Sequence, residues 1–221
     1  MTRIFNIAGL FVLATLISAS TAVGQFNHPD ALGTTFDYTN IFETTNTNGP
    51  LFGAPTANGN NLDFPAAGFA ANATGPSVDF LNGMIELDVS SNTGQTFNSI
   101  ELSEFGVYFN SGASAFSSVT TFLFVTVGGQ TFSDSVTQSF SGTGSGVWDA
   151  SFKIAIPDTL DATVQIHNIL LSEAGPGDVA SISKRDVDLF VGGDGPVVPE
   201  PTSAAILFAG LLGTALRRRR S

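Results

Sequence analysis

The 221-residue chain contains no cysteine, only two histidines, one tryptophan and two tyrosines, and its charged residues make up 12% of the sequence, against a usual fraction of roughly 25%. Without cysteine there is no disulfide framework, no thiolate metal site and no Cys nucleophile. Basic residues are scarcer still: eight stand against 19 acids, for a formal net charge of −11. That balance offers no electrostatic reason to bind nucleic acid. Chemical motifs are missing as well. His28 and His167 form no HExxH pair, and there is no G-x-S-x-G elbow, no P-loop and no dinucleotide fingerprint. What remains is apolar bulk, 43% of the residues, with 20 Phe and 24 Gly. The chain is too apolar to be disordered and long enough for one domain or at most two.

Both ends read as targeting segments, which are set aside before the fold is considered. Residues 1–24 carry Arg3, an apolar run from Ile4 through Ile17, and the small residues Ser18 to Gly24. This is the pattern of a secretory signal peptide, a helix removed by signal peptidase. Ala22 and Gly24 satisfy the small-x-small rule for cleavage before Gln25, with cleavage after Ala22 as the alternative. At the other end stand Pro199, Glu200 and Pro201, then the uncharged stretch Thr202 to Leu216, then Arg217, Arg218, Arg219 and Arg220. As a helix, 202–216 spans about 22 Å at 1.5 Å per residue, short of the ~30 Å hydrocarbon core. The four arginines supply the missing reach by snorkelling to the interface. By the positive-inside rule they keep this end cytoplasmic while residues 25–200 stand outside.

Pro-Glu-Pro, a short apolar helix and a terminal Arg cluster, in that order, resemble the PEP-CTERM sorting signal of bacterial exported proteins. The resemblance covers about 24 residues. It implies that Pro199, Glu200 and Pro201 are recognised by exosortase, a membrane enzyme that cleaves near the motif, and that the protein passes through an inner-membrane intermediate before it reaches the cell surface or is released. It further implies a setting of exopolysaccharide and biofilm. The same tail also resembles the C-terminal segment of proteins named as ice-binding. In the middle of the chain, Leu51-Phe52-Gly53-Ala54-Pro55, Leu62-Asp63-Phe64, Glu104-Phe105-Gly106 and Asp186 to Val191 look like the ectodomain of a group of PEP-CTERM proteins, a diffuse resemblance that brings no activity with it.

Residues 25–191 show strand periodicity. Ile85, Leu87 and Val89 alternate with Glu86 and Asp88, so one face is core. Ile100 and Leu102 share a face, whereas Phe105, Val107 and Phe109 lie on the opposite parity, which predicts a β-bulge near Ser103-Glu104 that re-aims Glu104. Val119 to Val127 is apolar on both faces, as for a strand covered on both sides, and Gly128-Gly129 predicts a two-residue hairpin turn. Beyond it Thr131, Ser133, Ser135, Thr137 and Ser139 line one face. Trp148, Ala150, Phe152, Ile154 and Ile156 form a half-buried strand that Pro157 ends. Val164 and Ile166 continue the alternation until Ile169-Leu170-Leu171 shifts it, and Val187, Leu189 and Val191 close the domain. Asn46 to Asn61 reads as a long ordered loop anchored by Leu51, Phe52, Leu62, Phe64 and Phe69.

The expected organisation is a signal peptide at 1–24, an all-β ectodomain at 25–191, a linker at 192–198 and the sorting signal at 199–221. The ectodomain is expected to be an antiparallel, jelly-roll-like β-sandwich. No catalytic residue is assigned. The strand carboxylates Glu86, Asp88, Glu101 and Glu104 are the candidates for a glycosidase pair, but acids on alternate positions ordinarily mark a wet face. Calcium is the one cofactor considered, through Asp158 with Asp161 or Glu173 with Asp178, without the spacing of a calcium loop. Trp148 is expected in the core and Tyr108 on the surface. These features predict an exported, non-enzymatic cell-surface or extracellular-matrix protein with a structural or adhesive role. A lectin-like module for extracellular polysaccharide is the alternative; a polysaccharide hydrolase and an ice-binding array rank below it. Residues 25–200 keep only Lys153, Lys184 and Arg185 against all 19 acids, a formal charge of −16, which repels anionic polysaccharide unless divalent cations bridge the two.

Overall fold

A computed structural model describes residues 24–66 and 68–192. The signal peptide up to Val23, the linker beyond Gly192, the Pro199-Glu200-Pro201 motif, the apolar stretch 202–216 and the arginines at 217–220 lie outside the described residues.

The described residues form thirteen strands and no helix. They are β1 (Gly24–Asn27), β2 (Ala31–Leu32), β3 (Phe36–Thr45), β4 (Thr56–Asn58), β5 (Asn61–Pro65), β6 (Ala70–Thr74), β7 (Ser77–Ser91), β8 (Phe97–Ser111), β9 (Phe116–Val127), β10 (Gln130–Ser141), β11 (Gly144–Thr159), β12 (Asp161–Ala174) and β13 (Val179–Gly192). A seven-stranded sheet runs β1-β3-β7-β12-β9-β10, with β2 on β3, and a six-stranded sheet runs β11-β8-β13-β5-β4, with β6 on β13. All pairings are antiparallel. The two inner faces meet in one apolar core that includes Ile85, Leu87, Val89, Leu102, Leu123, Val125, Val164, Ile166, Val187 and Leu189. The expected β-sandwich is therefore observed.

The long strands nest around the Gly128-Gly129 turn. β9 pairs with β10, β8 with β11 and β7 with β12, so a three-strand run pairs with the next three in reverse order. Each step alternates between the two sheets. The turn residues both have positive φ, 57° and 83°, the conformation that a primed hairpin turn requires and that glycine adopts without penalty.

Three expectations about register are corrected. β8 carries no bulge at Ser103-Glu104: Ile100, Leu102, Glu104, Gly106, Tyr108 and Asn110 keep one parity and face inward, while Phe105 and Phe109 face out, 44% and 49% exposed. The irregularity belongs to the neighbouring β13, between Lys184 and Asp186. β12 does not shift at Ile169-Leu170-Leu171 either; Asn168, Leu170 and Ser172 continue inward. Third, among the described residues no second layer covers the outer side of β9 at Phe122 and Phe124, which are partly exposed. Its apolar residues there make an aromatic surface.

Trp148 is buried as expected, directly opposite Gly106 on β8. A Cβ at Gly106 would fall 2.5 Å from the indole and 2.1 Å from the Ser183 carbonyl oxygen, so glycine is what lets the Trp148 ring lie against β8 within the six-stranded sheet. Tyr108 corrects its expectation: it sits on the inner side of β8, half-buried, with its ring stacked on Phe140 at 3.9 Å. β11 runs on to Thr159, but its regular pairing with β8 stops at Ala155, just before Pro157 removes a donor. The ordered loop after β3 is held from within. The buried Glu43 carboxylate accepts the Leu51 amide at 2.6 Å and the Phe52 amide at 3.4 Å, and it pairs with His28 at 2.9 Å.

Candidate functional site

Alternation along five neighbouring strands turns one set of side chains outward across the seven-stranded sheet. Its register places Glu86, Gln165, Phe124 and Ser133 in one row, and Met84, His167, Phe122 and Ser135 in the next. Phe42 and Thr44 of β3 extend these rows at one end. With strands about 4.8 Å apart, the five-strand row is roughly 19 Å long. The outer face is thus an elongated platform rather than a pit.

The aromatic groups on it are aligned. The Phe122 and Phe124 rings are near parallel, 6.3 Å apart at 12°, and the Phe122 and His167 rings lie 5.7 Å apart at 29°. The polar groups are held by one another. Gln165 Nε2 donates to Glu86 Oε2 at 2.5 Å, and Thr163 Oγ1 donates to Asp88 Oδ1 at 2.8 Å. Asn40 Nδ2 donates to Asp88 Oδ2 at 2.9 Å. His167 Nε2 lies 2.5 Å from Asn82 Oδ1, an acceptor, so the ring carries its proton on Nε2. Partial burial lowers the His167 pKa, and the imidazole is neutral at physiological pH.

Along one side of the platform runs the hydroxyl row of β10. Thr131, Ser133, Ser135, Thr137 and Ser139 are all exposed. Two are tied to β9, Thr131 to Thr126 at 2.9 Å and Thr137 to Thr120 at 3.0 Å. Between those pairs Phe122 and Phe124 interrupt the hydroxyls, so the row does not widen into a flat array. At the turn end, an open depression of about 510 Å³ is lined by Asp88, Thr126, Gly128, Gly129, Asp161 and Thr163.

The platform carries Glu86 and Asp88 and no basic residue. Among the described residues the bases are Lys153, Lys184 and Arg185; the first and last are exposed on the other sheet, and Lys184 is buried. Such a face favours neutral ligands and repels polyanions.

The candidate carboxylates do not converge. Glu86 and Asp88 lie on the platform, Glu101 sits on the opposite sheet across from Lys153, and Glu104 is in the core. Of the calcium candidates, Asp158, Asp161 and Glu173 stand exposed at the ends of β11 and β12, and Asp178, between β12 and β13, accepts the Ser114 amide at 2.8 Å. Among the described residues no cluster of three or more His, Asp or Glu is arranged to hold a metal. Gly24 and Gln25, at the expected cleavage site, begin β1 opposite Thr45 and Thr44. Sequence reading missed Phe122, Phe124, Gln165 and Asn82 as surface partners. The available signal was the alternation of Phe122 and Phe124 with Leu123 and Val125.

No curated protein matches the chain. Among solved structures it is similar to TmCBM61 in complex with β-1,4-galactotriose, 13% identical over 59% of this chain and 70% of that one, with a TM-score of 0.23. It is also similar to a family 16 carbohydrate-binding module, 10% identical over 57% and 75%, TM-score 0.26. An infectious bursal disease virus structure is 16% identical over 62% of this chain and 32% of that one, TM-score 0.39. Residues 197–220 match the PEP-CTERM protein-sorting motif, so the chain is an exported protein that carries the sorting signal processed by exosortase on the way to the cell surface.

Proposed function

We propose that residues 25–191 are a jelly-roll-like, non-enzymatic surface module with a structural or adhesive role in the extracellular matrix, and that the outer face of the seven-stranded sheet holds neutral polysaccharide. The observation that carries this reading is the paired rows on that face, where the Phe122 and Phe124 rings flank Gln165 and His167. Flat apolar rings pack against the C–H faces of sugars, and side-chain amides fix the hydroxyls. The polar groups are already oriented by Glu86 and Asn82, so little side-chain entropy is lost on binding. The acidic surface selects uncharged chains. Signal peptidase and exosortase act during export, with the inner membrane as a transient station, and the product resides at the cell surface or outside it.

Affinity electrophoresis of the processed protein through gels containing neutral or anionic polysaccharides tests the proposal. Neutral polymer is expected to retard the protein, and Phe122→Ala with Phe124→Ala to abolish the retardation while the thermal transition stays. Equal mobility of wild type and variant in every polymer would overturn the binding role. Sorting is tested separately by changing Pro199, Glu200 and Pro201 to Ala: processing and release should stop, and unchanged mass and location would refute recognition of the motif.

A further inference from the structure

Four polar side chains from four strands and both sheets meet inside the sandwich. Glu104 of β8, Lys184 of β13, Asn168 of β12 and Thr121 of β9 are 2%, 1%, 0% and 0% exposed. Lys184 Nζ donates to both Glu104 Oε2 and Asn168 Oδ1. Thr121 Oγ1 lies 2.6 Å from the same Glu104 oxygen and 2.8 Å from the same Asn168 oxygen. Aromatic rings close the site, with the Phe69 and Trp148 ring centroids each 5.7 Å from Nζ. Among the four side chains, Asn168 Nδ2 and Glu104 Oε1 are buried without a hydrogen-bond partner, as is Nε1 of the adjoining Trp148.

An ion pair in a dry core is costly unless its remaining lone pairs and protons are satisfied. Here they are not, yet an amine, a carboxamide and a carboxyl group are held in contact. We propose that Lys184 and Asn168 become joined by an intramolecular isopeptide bond, with Glu104 as the acid–base group that forms it. A proton first passes from the Lys184 ammonium to the Glu104 carboxylate, leaving a free amine and a carboxylic acid. The Nζ lone pair attacks Asn168 Cγ and forms the new C–N bond. Glu104 protonates Nδ2 and takes a proton from Nζ in return, while the old Cγ–Nδ2 bond breaks with its electron pair on the leaving nitrogen. Ammonia departs, the new amide keeps one hydrogen, and Glu104 ends as a neutral acid. Charge and hydrogens balance without oxidant, reductant or metal.

The setting supports each step. Burial lowers the Lys184 pKa to about 8 against the opposing pull of Glu104, so free amine is accessible near neutral pH. Fixed proximity stands in for a high reactant concentration, with effective molarities of about 10⁵ M or more in well-oriented systems. The aromatic shell keeps water from the new amide. The product replaces a buried ion pair and the orphaned amide nitrogen with neutral groups. It also ties β12 of one sheet to β13 of the other, a covalent staple in a chain with no cysteine.

The test is peptide mass spectrometry on the exported protein purified from its host, denatured and digested with trypsin. A bonded Lys184 resists cleavage, so the expected product is peptide 154–185, lighter by about 17 Da for the lost ammonia, with no fragment ions from within 168–184. Glu104→Gln should restore the full mass and cleavage after Lys184. Wild-type cleavage after Lys184 overturns the proposal, whether at full mass or with ammonia lost at Asn168 alone as a succinimide. A bond that still forms in Glu104→Gln overturns the role of Glu104.

Discussion

Two polar clusters of similar composition sit back to back across the seven-stranded sheet. On β12, His167 points outward to Asn82 and its neighbour Asn168 points inward to Lys184; on β9, Phe122 points outward and Thr121 inward. The outer cluster pairs Gln165 with Glu86 within reach of water, and the inner one pairs Lys184 with Glu104 away from it. The same functional groups therefore operate in two dielectrics less than one sheet apart. Outside, a hydrogen bond mostly replaces one with water and contributes little to stability. Inside, each partner is obligatory, because a survivor left alone cannot be solvated.

Substitutions should expose that difference directly. In the unbonded chain, where Lys184 and Glu104 are still an ion pair, Lys184→Met leaves Glu104 buried without its cation, and the expected loss relative to that paired form is about 3–5 kcal/mol. Chemical denaturation should show it, and Lys184→Met combined with Glu104→Leu should recover most of the loss. A single variant as stable as wild type would mean that the inner cluster is not dry. The outer face of the second sheet gives an intermediate case at Asp186. Its pKa is raised from 3.8 to about 6 by partial burial, then by Asp63 and Asp188. The folded state thus holds a proton there that the unfolded chain releases near pH 4, and stability falls as pH rises from about 4 to 6. Solvent screening limits the effect to about 1 kcal/mol or less. Asp186→Asn should raise stability at pH 7 and leave it unchanged at pH 3, as read from denaturant midpoints at the two pH values. The smallest effect belongs to the outer cluster: Gln165→Ala should cost below about 0.5 kcal/mol while weakening retention by neutral polysaccharide. A large stability loss there would assign Gln165 to the framework instead of the platform.

The wet and dry members were not equally legible in the sequence. Alternation at Ile85, Leu87 and Val89 identified a core face because both parities there obey the usual partition of apolar and charged residues. At Glu104 the same rule misled. The opposite parity of Phe105, Val107 and Phe109 predicts a bulge there, whereas β8 runs straight, exposes Phe105 and Phe109 and buries Glu104. Asn168 misled in the same way, making a regular strand look shifted at Ile169. Phe122 and Phe124 erred in the opposite direction, apolar residues assigned to a covering layer that the sheet lacks. For the two polar residues the missing fact was a partner elsewhere in the chain: Lys184 is 80 residues from Glu104 and 16 from Asn168.

By itself the sequence determined the features that depend on local order. Strand alternation, the glycine turn at 128–129 and the sorting signal at 197–220 are each written in a few consecutive residues. Tertiary structure alone decided which polar residues are dry and which meet water. A strand's two faces are chemically equivalent until other strands cover one of them, and the folding of distant segments assigns the neighbours from which a carboxylate or an amide takes its protonation, its energy and its reactivity.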